Sequence, residues 1–133
     1  MPPLDGISAG FGSKSYLKRF GIMHWGIDIP APQRTPVKAI DAGVVSKVGD
    51  NAYDFFKPSF VDIDHGTYTS RYVHVTHILV REGERVKKGE EIALSGGRPR
   101  SRGAGFLTTA PHLHLETIVN GKPVNPLPYL PAL

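Results

Sequence analysis

The sequence predicts an all-β domain with little helix, and three observations carry that expectation. Glycine and proline number 15 and 12 in 133 residues, about a fifth of the chain where roughly 12% is usual. They punctuate short runs rich in β-branched residues, the pattern of many turns between many short strands. No segment carries a sustained apolar stripe at helical spacing.

Taken in order, "GIDI" (26–29) is a short run closed by Pro30, and "GVVSKV" (43–48) opens after Gly43. "SFVDIDH" (59–65) and "YTSRYVHV" (68–75) read as a hairpin about Gly66, with Val61 and Ile63 alternating with Asp62 and Asp64. That period of two belongs to a strand with one buried face. "EEIALS" (90–95) and "HLHLETIV" (112–119) complete the set. Between them runs the one long irregular segment, 96–110, "GGRPRSRGAGFLTTA".

Residues 1–133 are read as a single domain, long enough to bury roughly two-thirds of its unfolded surface. There is no cysteine, which excludes disulfides and thiolate metal sites. No stretch approaches the roughly 20 apolar residues of a membrane span. The opening "MPPLDGISAGFG" lacks the basic start and apolar run of a signal peptide. The net charge of +4 and pI near 9.5 suit a polyanionic partner. The basic residues are scattered and not interleaved with aromatics, which argues against nucleic acid.

In "HLHLETIV" the even positions are His112, His114 and Glu116, and the odd ones Leu113, Leu115, Thr117 and Val119. On a strand the two sets face opposite ways. The leucines are expected in the core, and both histidines share the other face with Glu116. Side chains two apart are rooted about 7 Å apart, close enough to converge on one ion or one substrate atom. Glu116 can orient a neighbouring histidine or form a cross-strand ion pair.

"HWGID" (24–28) adds His24 and Asp28. On a straight strand these two would stand about 13 Å apart, too far to share an ion. The pair therefore needs a bend, for which Gly26 is the available place. His24 and Asp28 with one of the distal histidines make three protein ligands, the count of a catalytic zinc site with an open fourth position. In "RYVHVTH", His74 shares the parity of Tyr68 and Tyr72, against Val73 and Val75, and is expected to face the same open side. Histidine titrates near neutrality and suits proton transfer to and from a zinc-activated water and a leaving amine.

The order H-x-x-x-D, Y-x-H, P-H-L-H closely resembles the lysostaphin-type (LytM-like) zinc metallopeptidases. The resemblance runs from "SAGFG" to "VNPLPYL" and includes "HWGIDIPAPQRTPVKAIDAGVV", "VREGERVKKGEEIALSG" and "NGKPVNP". It implies a mostly antiparallel β domain with a groove, of duplicated hybrid motif architecture. It further implies a zinc endopeptidase acting on peptidoglycan peptides, as a monomer, secreted or in the cell envelope of a bacterium, or phage-borne. Residue by residue, it makes His24, Asp28 and His114 the Zn2+ ligands, and His112 and His74 the pair that activates water and stabilises the tetrahedral intermediate. The chain departs from the family pattern at "YVHVT", Ala110 and Leu115, none of which removes a polar group from the site. The alternative is a non-catalytic cell-wall-binding or amidase-activating domain of the same fold. Such domains typically lack one or more zinc ligands, whereas here every position is filled. A phosphocarrier using paired histidines is a second alternative, against which Asp28 argues.

His65 and His77 are expected to be structural, and Trp25 to be packed or to wall the groove. The three arginines of "RPRSR", Arg98, Arg100 and Arg102, stand on a segment expected to wall the substrate groove, which Gly96, Gly97, Gly103 and Gly105 are expected to let adapt.

Overall fold

The computed structural model describes residues 26–51, 58–97 and 111–130. These form ten strands and one 3-10 turn, Leu127–Tyr129, and every strand pairing is antiparallel. The strands are β1 (Ile27–Pro30), β2 (Pro36–Lys38), β3 (Gly43–Gly49), β4 (Phe60–Asp64), β5 (Thr69–Val73), β6 (Val75–Ile78), β7 (Arg85–Val86), β8 (Glu91–Ser95), β9 (His112–Val119) and β10 (Lys122–Val124). A larger sheet runs β1-β9-β5-β4-β3-β7, with β10 also on β9, and a smaller one runs β2-β8-β6.

The all-β expectation holds, and so does the hairpin about Gly66, where Asp64 stands opposite Thr69. Val61 and Ile63 are fully buried, as the alternation predicts. Leu113 and Leu115 are likewise buried, on the face opposite the histidines. Val119 is only half-buried, being at the end of β9 beside the short β10. The sequence reading missed β2, β7 and β10. Each is two or three residues long, too short for its period to register.

One expected strand is two. The run 68–75 breaks at His74, which takes φ +68°, so β5 stays in the larger sheet and β6 joins the smaller one. This corrects the parity argument. Tyr72 faces the core, fully buried opposite Leu115, while Val73 lies opposite His114. A straight continuation would send His74 to the core side with Tyr72. The left-handed turn redirects it.

A single core draws on both sheets, including Ile27, Ile29, Val37, Val61, Ile63, Tyr72, Ile92, Leu113 and Leu115. At its centre the Tyr72 hydroxyl accepts from Ile40 N–H at 3.0 Å and lies 2.9 Å from the Ser70 hydroxyl. His65 closes this network, with Nδ1 2.8 Å from the Ala42 carbonyl and Nε2 2.7 Å from Ser70 Oγ. A carbonyl only accepts, so His65 Nδ1 donates to Ala42. Ser70 Oγ in turn donates to the Tyr72 hydroxyl. His65 is structural, as expected.

Candidate metal centre

β1 and β9 set the first pair. Their register puts Asp28 directly opposite His114 and Pro30 opposite His112. Asp28 Oδ1 lies 2.7 Å from His114 Nδ1 and 3.7 Å from His112 Nε2. The three side chains are mostly buried. The approach of the two strands depends on Gly26. A Cβ there would stand 2.4 Å from the Leu115 carbonyl oxygen and 3.0 Å from His114 Cε1. Gly26 thus lets a backbone lie close against β9. That is a different service from the bend expected of it.

His74 arrives from the junction between the sheets. Its backbone N–H donates to the Ser59 carbonyl at 3.0 Å, and its ring sits 4.9 Å from the His112 ring and 6.2 Å from that of His114. A non-glycine residue at positive φ is uncommon, though histidine tolerates it better than most. The segment after β8 supports His112 from the other side. His112 N–H donates to the Gly96 carbonyl at 2.9 Å. A Cβ on Gly97, at φ +94°, would fall 3.0 Å from His112 Nδ1. Expected as hinges of an adaptable loop, Gly96 and Gly97 instead pack as fixed supports.

Glu116 takes the first of the roles open to it in the sequence, beside a neighbouring histidine. Its Oε2 lies 3.4 Å from His114 Nε2, and it stands opposite Arg71 across β5 and β9. Arg71 holds Asp62 in a fork, Nε to Oδ1 at 2.8 Å and Nη2 to Oδ2 at 2.9 Å. The sequence reading missed this pair, although centring the hairpin on Gly66 already sets the two opposite charges face to face. Burial disfavours the charged form of His114, but the hydrogen bonds to Asp28 and Glu116 outweigh it and raise its pKa to about 9.

The donor chemistry suits zinc. A carboxylate oxygen and an imidazole nitrogen, aimed at each other and sharing one proton, are groups that a zinc ion can take once that proton leaves. Glu116 on the other ring nitrogen fixes the tautomer, as carboxylates behind metal-bound histidines do. Among the described residues no three His, Cys, Asp or Glu side chains are placed to hold a metal. The expected third ligand, His24, lies outside the described residues, as do Trp25 and the loop arginines Arg98, Arg100 and Arg102. The structure thus brings together Asp28, His74, His112 and His114. His77, on β6, has its Nδ1 buried without a hydrogen bond among the described residues.

Residues 22–126 match the profile of Peptidase family M23. The chain belongs to this family. The M23 span contains all five residues singled out from the sequence, His24, Asp28, His74, His112 and His114. The chain is 42% identical over 103 residues to the peptidoglycan DD-endopeptidase ShyA of Vibrio cholerae, a match covering 77% of this chain and 22% of that one. It is 32% identical over 132 residues to lysostaphin of Staphylococcus simulans, covering 96% and 25%. The fold matches the lysostaphin catalytic domain with a TM-score of 0.72 at 30% identity, over 92% of this chain and 90% of that one. This M23 chain spans about a fifth of the length of the curated relatives it matches first. Among the described residues no helix is long and apolar enough to cross a membrane.

Proposed function

We propose that this domain is a zinc-dependent endopeptidase that hydrolyses peptide bonds in the stem peptides or cross-bridges of bacterial peptidoglycan. It would act as a monomer, secreted or in the cell envelope. The observation that carries the reading is the convergence of Asp28 and His114, 2.7 Å apart, with His112 and His74 on the same face of an M23 domain. ShyA, by its name a peptidoglycan DD-endopeptidase, supports the substrate class.

In this reading His24, Asp28 and His114 would hold the ion. When bound, zinc supplies Lewis-acid activation of a water and of the scissile carbonyl. The rest is done by the chain. Glu116 accepts from His114 Nε2 and keeps Nδ1 turned toward Asp28. His112 and His74, with rings 4.9 Å apart, would handle protons beside the Asp28–His114 pair. One takes the proton of the attacking water, and the pair then stabilises the charge that develops on the carbonyl oxygen and protonates the departing amine. The mostly buried setting of these groups strengthens each of those interactions.

Elemental analysis of the purified protein tests the ligand set. One zinc per chain is expected in the parent, and its loss in Asp28→Ala and in His114→Ala. Undiminished zinc in Asp28→Ala would remove Asp28 from the metal.

A further inference from the structure

One face of the larger sheet carries a line of alternating charge that ends at the candidate metal centre. Lys47, Asp62, Arg71 and Glu116 occupy successive register positions on β3, β4, β5 and β9. Their chain neighbours Val61, Ile63, Tyr72 and Leu115 are buried in the core, so Asp62, Arg71 and Glu116 share the opposite face. Glu116 is two residues from His114 on β9, and His114 is paired with Asp28 of β1. From β4 to β1 the order is thus acid, base, acid, histidine, acid.

The members of this line are not equally fixed. Asp62 is buried and holds Arg71 at two points, Nε to Oδ1 at 2.8 Å and Nη2 to Oδ2 at 2.9 Å. The guanidinium also lies 5.0 Å from the centre of the Phe60 ring, a further contact on its face. Hydrogen bonding to Asp62 raises the Arg71 pKa against the opposing effect of burial, and the charges of Asp62 and Glu116 add to the rise. Arg71 therefore feels both carboxylates.

Glu116 is held less firmly. Its Oε2 is 3.4 Å from His114 Nε2, long for a charge-assisted hydrogen bond. Directly across the sheet stands Arg71, and a guanidinium fork is among the strongest partners a carboxylate can find. Arg71 and His114 thus compete for one carboxylate. The prior engagement of Arg71 decides between them, because the edge formed by Nε and Nη2 is already committed to Asp62.

We propose that Asp62 is a positioning residue for the metal centre: by holding Arg71, it leaves the Glu116 carboxylate to orient the His114 ring toward Asp28. Asp62 acts at one remove, through Arg71 and Glu116, and touches neither the ion nor the substrate. The ion itself rests on the peptidase reading above, whereas the contact between Glu116 and His114 belongs to the chain alone.

The test follows the proton on His114 Nε2 by NMR of 15N-labelled protein, with and without zinc, and reads zinc affinity by competition with a chelator. In the parent this proton is expected to lie downfield and to exchange slowly, as a proton held against a carboxylate does. Asp62→Asn should release Arg71 to Glu116, move the signal upfield and weaken zinc binding roughly 10-fold or more, the usual cost of losing the group behind a metal-bound histidine. Asp62→Asn/Arg71→Gln leaves no guanidinium to draw Glu116 away and should restore both. In a Glu116→Ala background, Asp62→Asn should lower zinc affinity no further. A merely structural Asp62 would lower it by the same factor in either background. Should Asp62→Asn not fold, Arg71→Lys keeps a cation for Asp62 but loses the two-point grip, and its signal should move the same way. An unchanged His114 signal in a folded variant, or equal losses with and without Glu116, overturns the proposal. A parent that takes up no zinc, with a His114 signal that still responds to Asp62→Asn, sinks the peptidase reading and leaves the positioning role standing.

Discussion

Asp28 and His114 face each other across a single antiparallel strand pair, and their side chains meet at 2.7 Å. The sheet register alone brings these two groups, 86 residues apart in sequence, into line. His112, one step along the same face, has its Nε2 3.7 Å from the same carboxylate oxygen, and in the proposed reading it handles protons and leaves the ion to Asp28 and His114. His112→Ala should therefore retain zinc and lose activity by roughly 100-fold or more, as expected for an acid–base group. Loss of zinc in that variant would mean that His112 and His114 have exchanged roles.

His74 and His77 provide an internal control. His74→Ala should lose activity as His112→Ala does, while His77→Phe, which removes a buried nitrogen with no partner among the described residues, should keep both fold and activity. Backbone strain gives His74 a second signature. At φ +68° an alanine is strained and a glycine is not, so His74→Gly should be more stable than His74→Ala by about 1 kcal/mol. Equal denaturation midpoints would argue against the left-handed turn.

Gly26→Ala should destabilise the domain by roughly 1–3 kcal/mol, the usual cost of overpacking. The added methyl meets the Leu115 carbonyl and the His114 ring, so zinc affinity should fall with stability. A variant with parent stability and zinc content would show that β1 and β9 are less tightly apposed.

Tyr72 makes alkaline stability a test of the core. Burial pushes its hydroxyl up to about 12 from the usual 10. Between those values the unfolded chain has lost a proton that the folded chain keeps, so stability falls as pH rises. Its contribution is full below pH 10 and gone above about 12. Tyr72→Phe should be less stable than the parent at pH 7, because the buried Ile40 N–H loses its acceptor, yet should lose less between pH 10 and 12. Parallel stability curves over that interval would refute the assignment.

How much of this was legible beforehand depended on periodicity. A strand's alternation told Leu113 and Leu115 from His112 and His114, because the sign of each residue's burial follows from its parity. The same rule failed at His74. The expected outcome was right and the reason wrong, since parity holds only while the backbone stays extended and a positive φ resets it. Gly26, Gly96 and Gly97 were read as freedom, whereas their function is close approach, which depends on the strand that comes to lie against them. The Asp62–Arg71 fork was within reach of the hairpin register. Its junction with Glu116 was not, because β5 and β9 meet only through a pairing between strands distant in the chain.

Digestion of purified peptidoglycan by the zinc-loaded protein, with mass spectrometry of the released fragments, tests the central claim most directly. The account predicts soluble fragments with newly formed peptide amine and carboxyl ends, abolished by a chelator and restored by zinc. Intact peptidoglycan after prolonged incubation with fully zinc-loaded, folded protein, or fragments cut only in the glycan strands, would contradict it.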